Sequence, residues 1–232
     1  MSVGAGQRVL LVGMGGVGCP AAMALARASD VVLRLADDDR VDVSNLHRQV
    51  LFEDEDAGRP KVSAAAQRLA ERFVGTAVEP RRVRFEDGTA DALLAGVDVV
   101  IDGSDNFPSR FAVNDACVEA GVPLVHAAVL GWSAQILTVA GGGGCYRCLF
   151  EAPPPDDAVP TCARAGVLGP VAGVVGALAS AEALRLLAGR PPIHAGKLLT
   201  YESRGREFRA VRFNRRHDCA AHASSPYRDS NP

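Results

Sequence analysis

Gly13-Met14-Gly15-Gly16-Val17-Gly18 is the stretch that decides the fold. The apolar run Arg8 to Val12 precedes it and the alanine-rich run Cys19 to Ala28 follows. A strand, a glycine turn and a helix in that order present backbone N–H groups and a helix N-terminus to a phosphate. The extra Gly16 lets the backbone approach a nucleotide still closer. Alone, such a turn is common to many nucleotide-binding proteins, so its surroundings must say more.

Working outward, Val31 to Ala36 reads as a second strand, and Val62 to Phe73 as a helix with Ala65, Leu69 and Phe73 on one face. Val78 to Arg84 reads as a third strand, Thr89 to Leu94 as a short helix, and Val97 to Ile101, apolar but for Asp98, as a buried strand. Arg110 to Ala120 reads as a helix and Val122 to Ala127 as a strand. This alternation predicts an α/β, Rossmann-like, doubly wound and mostly parallel sheet. Beyond it, Trp132 to Ala140 reads as a strand extending the sheet, Cys145 to Thr161 as a loop, and Val171 to Leu187 as a helix. Lys197 to Tyr201 and Phe208 to Phe213 read as a closing hairpin. One domain over 1–222 is expected, with a nucleotide-binding half at about 8–127 and a zinc-containing, partner-docking half at about 128–222. Residues 223–232 are polar and small, and a disordered tail is expected there.

The bulk properties exclude more than they assign. Lys and Arg number 25 against 27 Asp and Glu, a net charge of −2 that gives no electrostatic case for nucleic-acid or membrane binding. No basic segment followed by an apolar run opens the chain, so a cytoplasmic protein is expected. Ala165 to Ala181 carries no charge, but its glycines and the following Glu182 and Arg185 favour a buried or dimer-facing helix over a membrane span. Six cysteines in such a chain point to metal or chemistry rather than disulfides. Cys19 and Cys117 read as small buried hydrophobes.

The chemistry-bearing stretch is Asp37-Asp38-Asp39-Arg40-Val41-Asp42-Val43-Ser44-Asn45-Leu46-His47-Arg48-Gln49. Eighteen residues separate Gly18 from Asp37, close to the distance at which a dinucleotide-binding domain places an acid on a ribose hydroxyl. Asn45, Arg48 and then Lys61 follow. Two cations and an amide beside a phosphate-binding turn suit a triphosphate whose charge is neutralised while it reacts. Asp105-Asn106, after the fourth strand, reads as a helix N-cap and as a magnesium ligand through Asp105. Cys145-x-x-Cys148 and Cys219-x-x-His222 together make a four-ligand set for structural zinc. Cys162, beside Arg164 and ahead of a helix, is either an activated thiol or a free surface one.

Taken together, Gly13-x-Gly15-Gly16-x-Gly18, Asp37-x-Asp39, Ser44-Asn45-Leu46-x-Arg48-Gln49, Pro60-Lys61, Asp105-Asn106, the Cys-x-x-Cys pair, Thr161-Cys162 and Ala165-Gly166-Val167-Leu168-Gly169-Pro170 resemble the MoeB/ThiF/HesA family. The resemblance spans about Arg8 to His222. It implies a homodimer that uses Mg-ATP to adenylate the C-terminal glycine of a ubiquitin-like sulfur-carrier protein ending in Gly-Gly. Carried over by position, Gly16 touches the nucleotide, Asp37 binds ribose, and Asn45, Arg48 and Lys61 hold phosphates. Asp39, Ser44 and Asn106 fall within the same nucleotide motifs, and Asp105 binds magnesium. Cys145, Cys148 and Cys219 match zinc cysteines, with His222 where the family usually has a fourth. Cys162 matches a cysteine that some members use in thioester or persulfide chemistry.

Two departures bear on mechanism. Relatives carry an N-terminal helix whose arginine reaches the partner subunit's ATP site, whereas this chain starts almost at its first strand, which points to weaker catalysis. No rhodanese domain follows, so a separate sulfur donor is expected. The competing readings are a non-catalytic docking subunit for a ubiquitin-like protein, and an NAD-dependent oxidoreductase, which leaves Arg48, Lys61 and the cysteine pairs unexplained.

Overall fold

The computed structural model describes residues 4–28, 31–155, 165–223 and 226. β1 (Arg8–Val12), β2 (Val32–Ala36), β3 (Ala77–Arg81), β4 (Val99–Asp102) and β5 (Leu124–Leu130) are mutually parallel, and β6 (Ser133–Val139), β7 (Lys197–Glu202) and β8 (Glu207–Arg212) continue antiparallel. The eight strands form one sheet in the order β3-β2-β1-β4-β5-β6-β7-β8. Chain order reverses at β1, between β2 and β4, and a sheet of this kind receives ligands beyond the carboxyl ends of the strands at that point.

Helices cover both faces. They are α1 (Gly18–Ala28), α2 (Lys61–Arg72), α3 (Asp87–Leu94), α4 (Phe107–Ala120), α5 (Tyr146–Leu149) and α6 (Gly169–Leu187). Successive strand residues point to opposite faces, so Val9, Leu11, Leu33, Leu35 and Ile101 pack with α1, α2 and α6. Leu10, Val12, Ala36 and Val100 pack with α3, α4 and the cysteine-bearing segments. Burial on both sides explains why β1 and β4 read as unbroken apolar runs.

α6 is long and apolar enough to cross a membrane by composition, yet half of it is buried against α1, β4, β5 and β6. A Cβ on Gly176 would lie 2.7 Å from Pro20 Cγ and 2.8 Å from the Val17 carbonyl oxygen, so only glycine allows that approach. Near the helix's end the buried Glu182 carboxylate accepts hydrogen bonds from the Thr138 hydroxyl and the Ile193 and His194 amides.

Several boundaries differ from the sequence reading for local reasons. α4 begins at Phe107, three residues early, because the Asn106 side chain accepts from the Ser109 amide at 2.9 Å and caps it. β3 stops at Arg81 because its partner β2 ends opposite, at Ala36. β5 runs on to Leu130, since antiparallel β6 pairs with it as far as Ser133. The segment expected to be loop from Cys145 to Thr161 contains α5. The expected tail lies outside the described residues, apart from 223 and 226.

Candidate functional site

A cleft opens over the carboxyl ends of β1, β2, β4 and β5. Its floor is the glycine turn. Gly13 has φ +86°, and a Cβ on Gly18 would lie 2.0 Å from the Gly13 carbonyl oxygen. Both positions therefore require glycine. A Cβ on Gly16 would meet Ala172 Cβ at 3.3 Å and Arg48 Cγ at 3.4 Å, so the turn, the Arg48 stem and α6 share one close contact.

Backbone pairing places the charged wall. The Lys61 amide donates to the Asp39 carbonyl at 3.0 Å, and Val41 and Gly58 join the same two segments. Buried Asp56 braces the connection by accepting from the Glu53 amide, Arg59 and Arg68. Lys61 Nζ consequently lies 2.8 Å from Asp39 Oδ2 and 3.9 Å from Asp37 Oδ2. A tight 3-10 turn over Val43–Asn45, capped by Asp42, leads into Asn45 and Arg48, whose side chains are hydrogen-bonded to each other.

Gly16, Asp37, Asp39, Asn45, Arg48, Lys61, Asp105 and Asn106 all line this cleft. Ser44 is not among its lining residues; its hydroxyl donates to Asp42 Oδ1 at 2.6 Å and completes the turn. Cys162 lies outside the described residues.

Asp37 is buried and already committed: its oxygens accept from the Met14 amide at 2.7 Å and the Asp39 amide at 2.8 Å. Each oxygen keeps a second lone pair for a ligand hydroxyl. Burial raises the Asp37 pKa despite the opposing Lys61 charge and the two amides. Burial alone would depress the Lys61 ammonium, but Asp37 and Asp39 outweigh it and raise its pKa. The cleft thus holds a lysine favoured in its charged form beside the glycine turn, an arrangement able to neutralise a polyphosphate.

Two further residues line the cleft without an assigned role, Gln49 inside the quoted motif and Ser104 just before Asp105. Gln49 and Ser104 are buried, and Gln49 Oε1 and Ser104 Oγ have no hydrogen-bond partner among the described residues. An unpaired buried polar atom costs free energy unless something binds it. Their adjacency to Arg48 and Asp105 was the available signal. Asp38 and Arg84 also line the cleft and pair with each other at 3.1 Å.

The second cluster lies on the face of the sheet that α3 and α4 cover. Cys145, Cys148, Cys219 and His222 are all buried, with their ligand atoms within 4.8 Å of one another. Cys145 Sγ is 3.7 Å from Cys148 Sγ and 3.6 Å from Cys219 Sγ. Thiolates at the corners of a zinc tetrahedron stand about 3.8 Å apart, as Zn–S bonds of about 2.3 Å require. Both ring nitrogens of His222 are buried without a partner among the described residues, and the Arg216 amide donates to Cys148 Sγ at 3.4 Å. The donor set and its spacing fit zinc.

The ThiF family model matches residues 5–221. The chain is 47% identical over 222 residues to the adenylyltransferase and sulfurtransferase MOCS3 of Sus scrofa, covering 94% of this chain and 48% of that protein. It is 43% identical to the sulfur carrier protein adenylyltransferase of Thermus thermophilus, covering 94% and 83%. It is 41% identical to the SAMP-activating enzyme E1 of Haloferax volcanii, covering 92% and 79%. The chain therefore spans about half the length of its MOCS3 relatives and most of the two prokaryotic ones. Among solved structures, E. coli MccB with MccA-N7isoASN superposes with a TM-score of 0.82 at 23% identity, covering 93% of this chain and 66% of that one, a likeness of fold. Glycine turn, charged cleft and matched length together place this chain in the ThiF family.

Proposed function

We propose that this protein uses ATP to adenylate the C-terminal glycine carboxylate of a ubiquitin-like sulfur-carrier protein. The carrying observation is the convergence of Arg48, Lys61 and Asn45 on a cleft floored by the glycine turn, beside Asp37 and Asp105. Relatives named as sulfur carrier protein adenylyltransferase and SAMP-activating enzyme E1 support the substrate class.

In this reading Asp37 holds the ribose and Asp39 keeps Lys61 in register. Arg48, Lys61 and Asn45 bind the phosphates, while Asn106 and Gly16 shape the nucleotide pocket. A carboxylate oxygen of the carrier attacks the α-phosphorus in line. The acyl–phosphate bond forms as the bond to the bridging oxygen breaks, and pyrophosphate leaves with its charge met by the two cations. Magnesium held by Asp105 would supply further charge neutralisation. The acyl adenylate is then electrophilic toward sulfur from a separate donor, with Cys162 the candidate thiol on this chain. The wall toward β5 and α6, Ala127, Ala128, Val129, Val167 and Ala172, is apolar and of modest bulk. It suits entry of an unbranched Gly-Gly tail.

Zinc held by Cys145, Cys148, Cys219 and His222 would supply a closed cross-link and no open coordination position. Pro170, Val174, Ala177 and Ala181 form an exposed apolar stripe along α6, which supports a homodimer. The deciding experiment is ATP–pyrophosphate exchange with a panel of carriers ending in Gly-Gly. Exchange that disappears when the carrier's last glycine is removed is the expected result; absence of Mg-ATP binding would overturn the proposal.

A further inference from the structure

Strand register makes a contact that chain order hides. β4 and β5 pair with Asp102 opposite His126, and His126 Nδ1 donates to Asp102 Oδ2 at 2.8 Å. Asp102 Oδ1 accepts the Ser104 amide at 2.9 Å. The Ser104 carbonyl accepts from Arg110 Nε at 3.2 Å, and the Arg110 guanidinium acts electrostatically on the Tyr146 hydroxyl. The Tyr146 ring returns to His126 edge-on, centroids 4.8 Å apart. These five residues close a ring, and none is more than 9% exposed.

The adenylation chemistry set out above uses neither Asp102 nor His126. What the ring holds is the turn after β4. Asp102 and Arg110 grip Ser104 at its N–H and its C=O, and Ser104, Asp105 and Asn106 then line the cleft. That turn also lies against the glycine turn: the Gly103 amide donates to the Val12 carbonyl at 2.9 Å, and a Cβ on Gly13 would meet the Gly103 carbonyl oxygen at 3.1 Å.

We infer that His126 is a positioning residue for nucleotide binding: by pairing with buried Asp102 it fixes the Ser104–Asn106 turn against the glycine turn. His126 Nε2 has no partner among the described residues, so its polar role runs through Nδ1 alone. Without His126 the buried carboxylate loses its imidazole partner, and such a group draws its other contacts toward itself or admits water. Burial opposes ionisation of Asp102, yet His126 and Ser104 hold its pKa below the usual carboxylate range.

This inference rests on the nucleotide reading of the cleft, so its test has one readout that needs no nucleotide. In the whole chain, His126→Asn places an amide donor near the Nδ1 position, His126→Gln displaces it, and His126→Leu removes it. ATP affinity is read by calorimetry, and hydrogen exchange at the Ser104 amide is read without ligand. His126→Asn is expected within about threefold of the parent in both. His126→Gln and His126→Leu are expected to bind ATP at least about tenfold more weakly, with Ser104 exchange at least about tenfold faster. Parent-like exchange and affinity in His126→Gln would overturn the inference, as would equal impairment of the Asn and Gln variants, which marks a packing role. If His126→Leu fails to fold, the Asn–Gln pair still decides. A parent protein that binds no ATP would refute the adenylation reading, while Ser104 exchange would still decide whether the ring holds the turn.

Discussion

The cleft at the carboxyl ends of the strands and the cysteine–histidine cluster on the face covered by α3 and α4 satisfy their polar groups in opposite ways. In the cleft nearly every charge already has a partner on the chain: Lys61 on Asp39 and Asp37, Arg48 on Asn45, Arg84 on Asp38. A ligand arriving there exchanges one set of contacts for another and can leave again. In the cluster three sulfurs and an imidazole are buried together with both His222 nitrogens unpartnered among the described residues. Such a donor set suits an ion held permanently, whereas the cleft suits a ligand that comes and goes.

The sharpest way to break this comparison is to remove a cluster ligand. Cys219→Ser is expected to lose most of the bound zinc and to destabilise the protein by several kcal/mol, because metal binding there is folding free energy. Metal content by mass spectrometry and thermal melting check both. Cleft substitutions should do the reverse. Arg48→Ala with Lys61→Ala is expected to lower pyrophosphate exchange by about 10³-fold or more, with zinc content unchanged; unaltered exchange would remove these residues from the site.

A smaller effect tests the floor. Gly18→Ala must move the Gly13 carbonyl, and a cost of about 1–3 kcal/mol in denaturant unfolding is expected. The smallest concerns pH. The folded-state pKa of Lys61 is raised above its ordinary value of 10.5, so its contribution to stability is fully present below that pH and is lost as pH rises through the folded value. Melting between pH 9 and 12 should show a small alkaline loss of stability that Lys61→Met flattens. An equal loss in the variant would assign the limb to other groups.

The strand–glycine–helix order and the two cysteine pairs were legible because each is local: a few residues at fixed spacing carry the whole signal. The cleft residues were legible for the same reason, clustering at strand ends. What stayed hidden depends on through-space register. Asp102 and His126 are 24 positions apart, and only the parallel pairing of β4 with β5 makes them neighbours. α5 was read as loop because four residues are too few to display a helical period. Ser44 was grouped with the nucleotide motif by adjacency, although its hydroxyl is spent on the Asp42 turn.

The glycine contacts carry a consequence for how such a protein can change. Gly169 against the His47 carbonyl at 2.4 Å and Gly176 against the Val17 carbonyl bring distant stretches of chain together backbone to backbone, as Gly18 against Gly13 does within one turn. A surface assembled by leaving side chains out offers natural variation nothing to adjust by degrees, since even one methyl group is a collision. New substrate preferences in this lineage must therefore arise at the rim, where Asp38, Val83 and Arg84 can be exchanged while the floor is inherited intact.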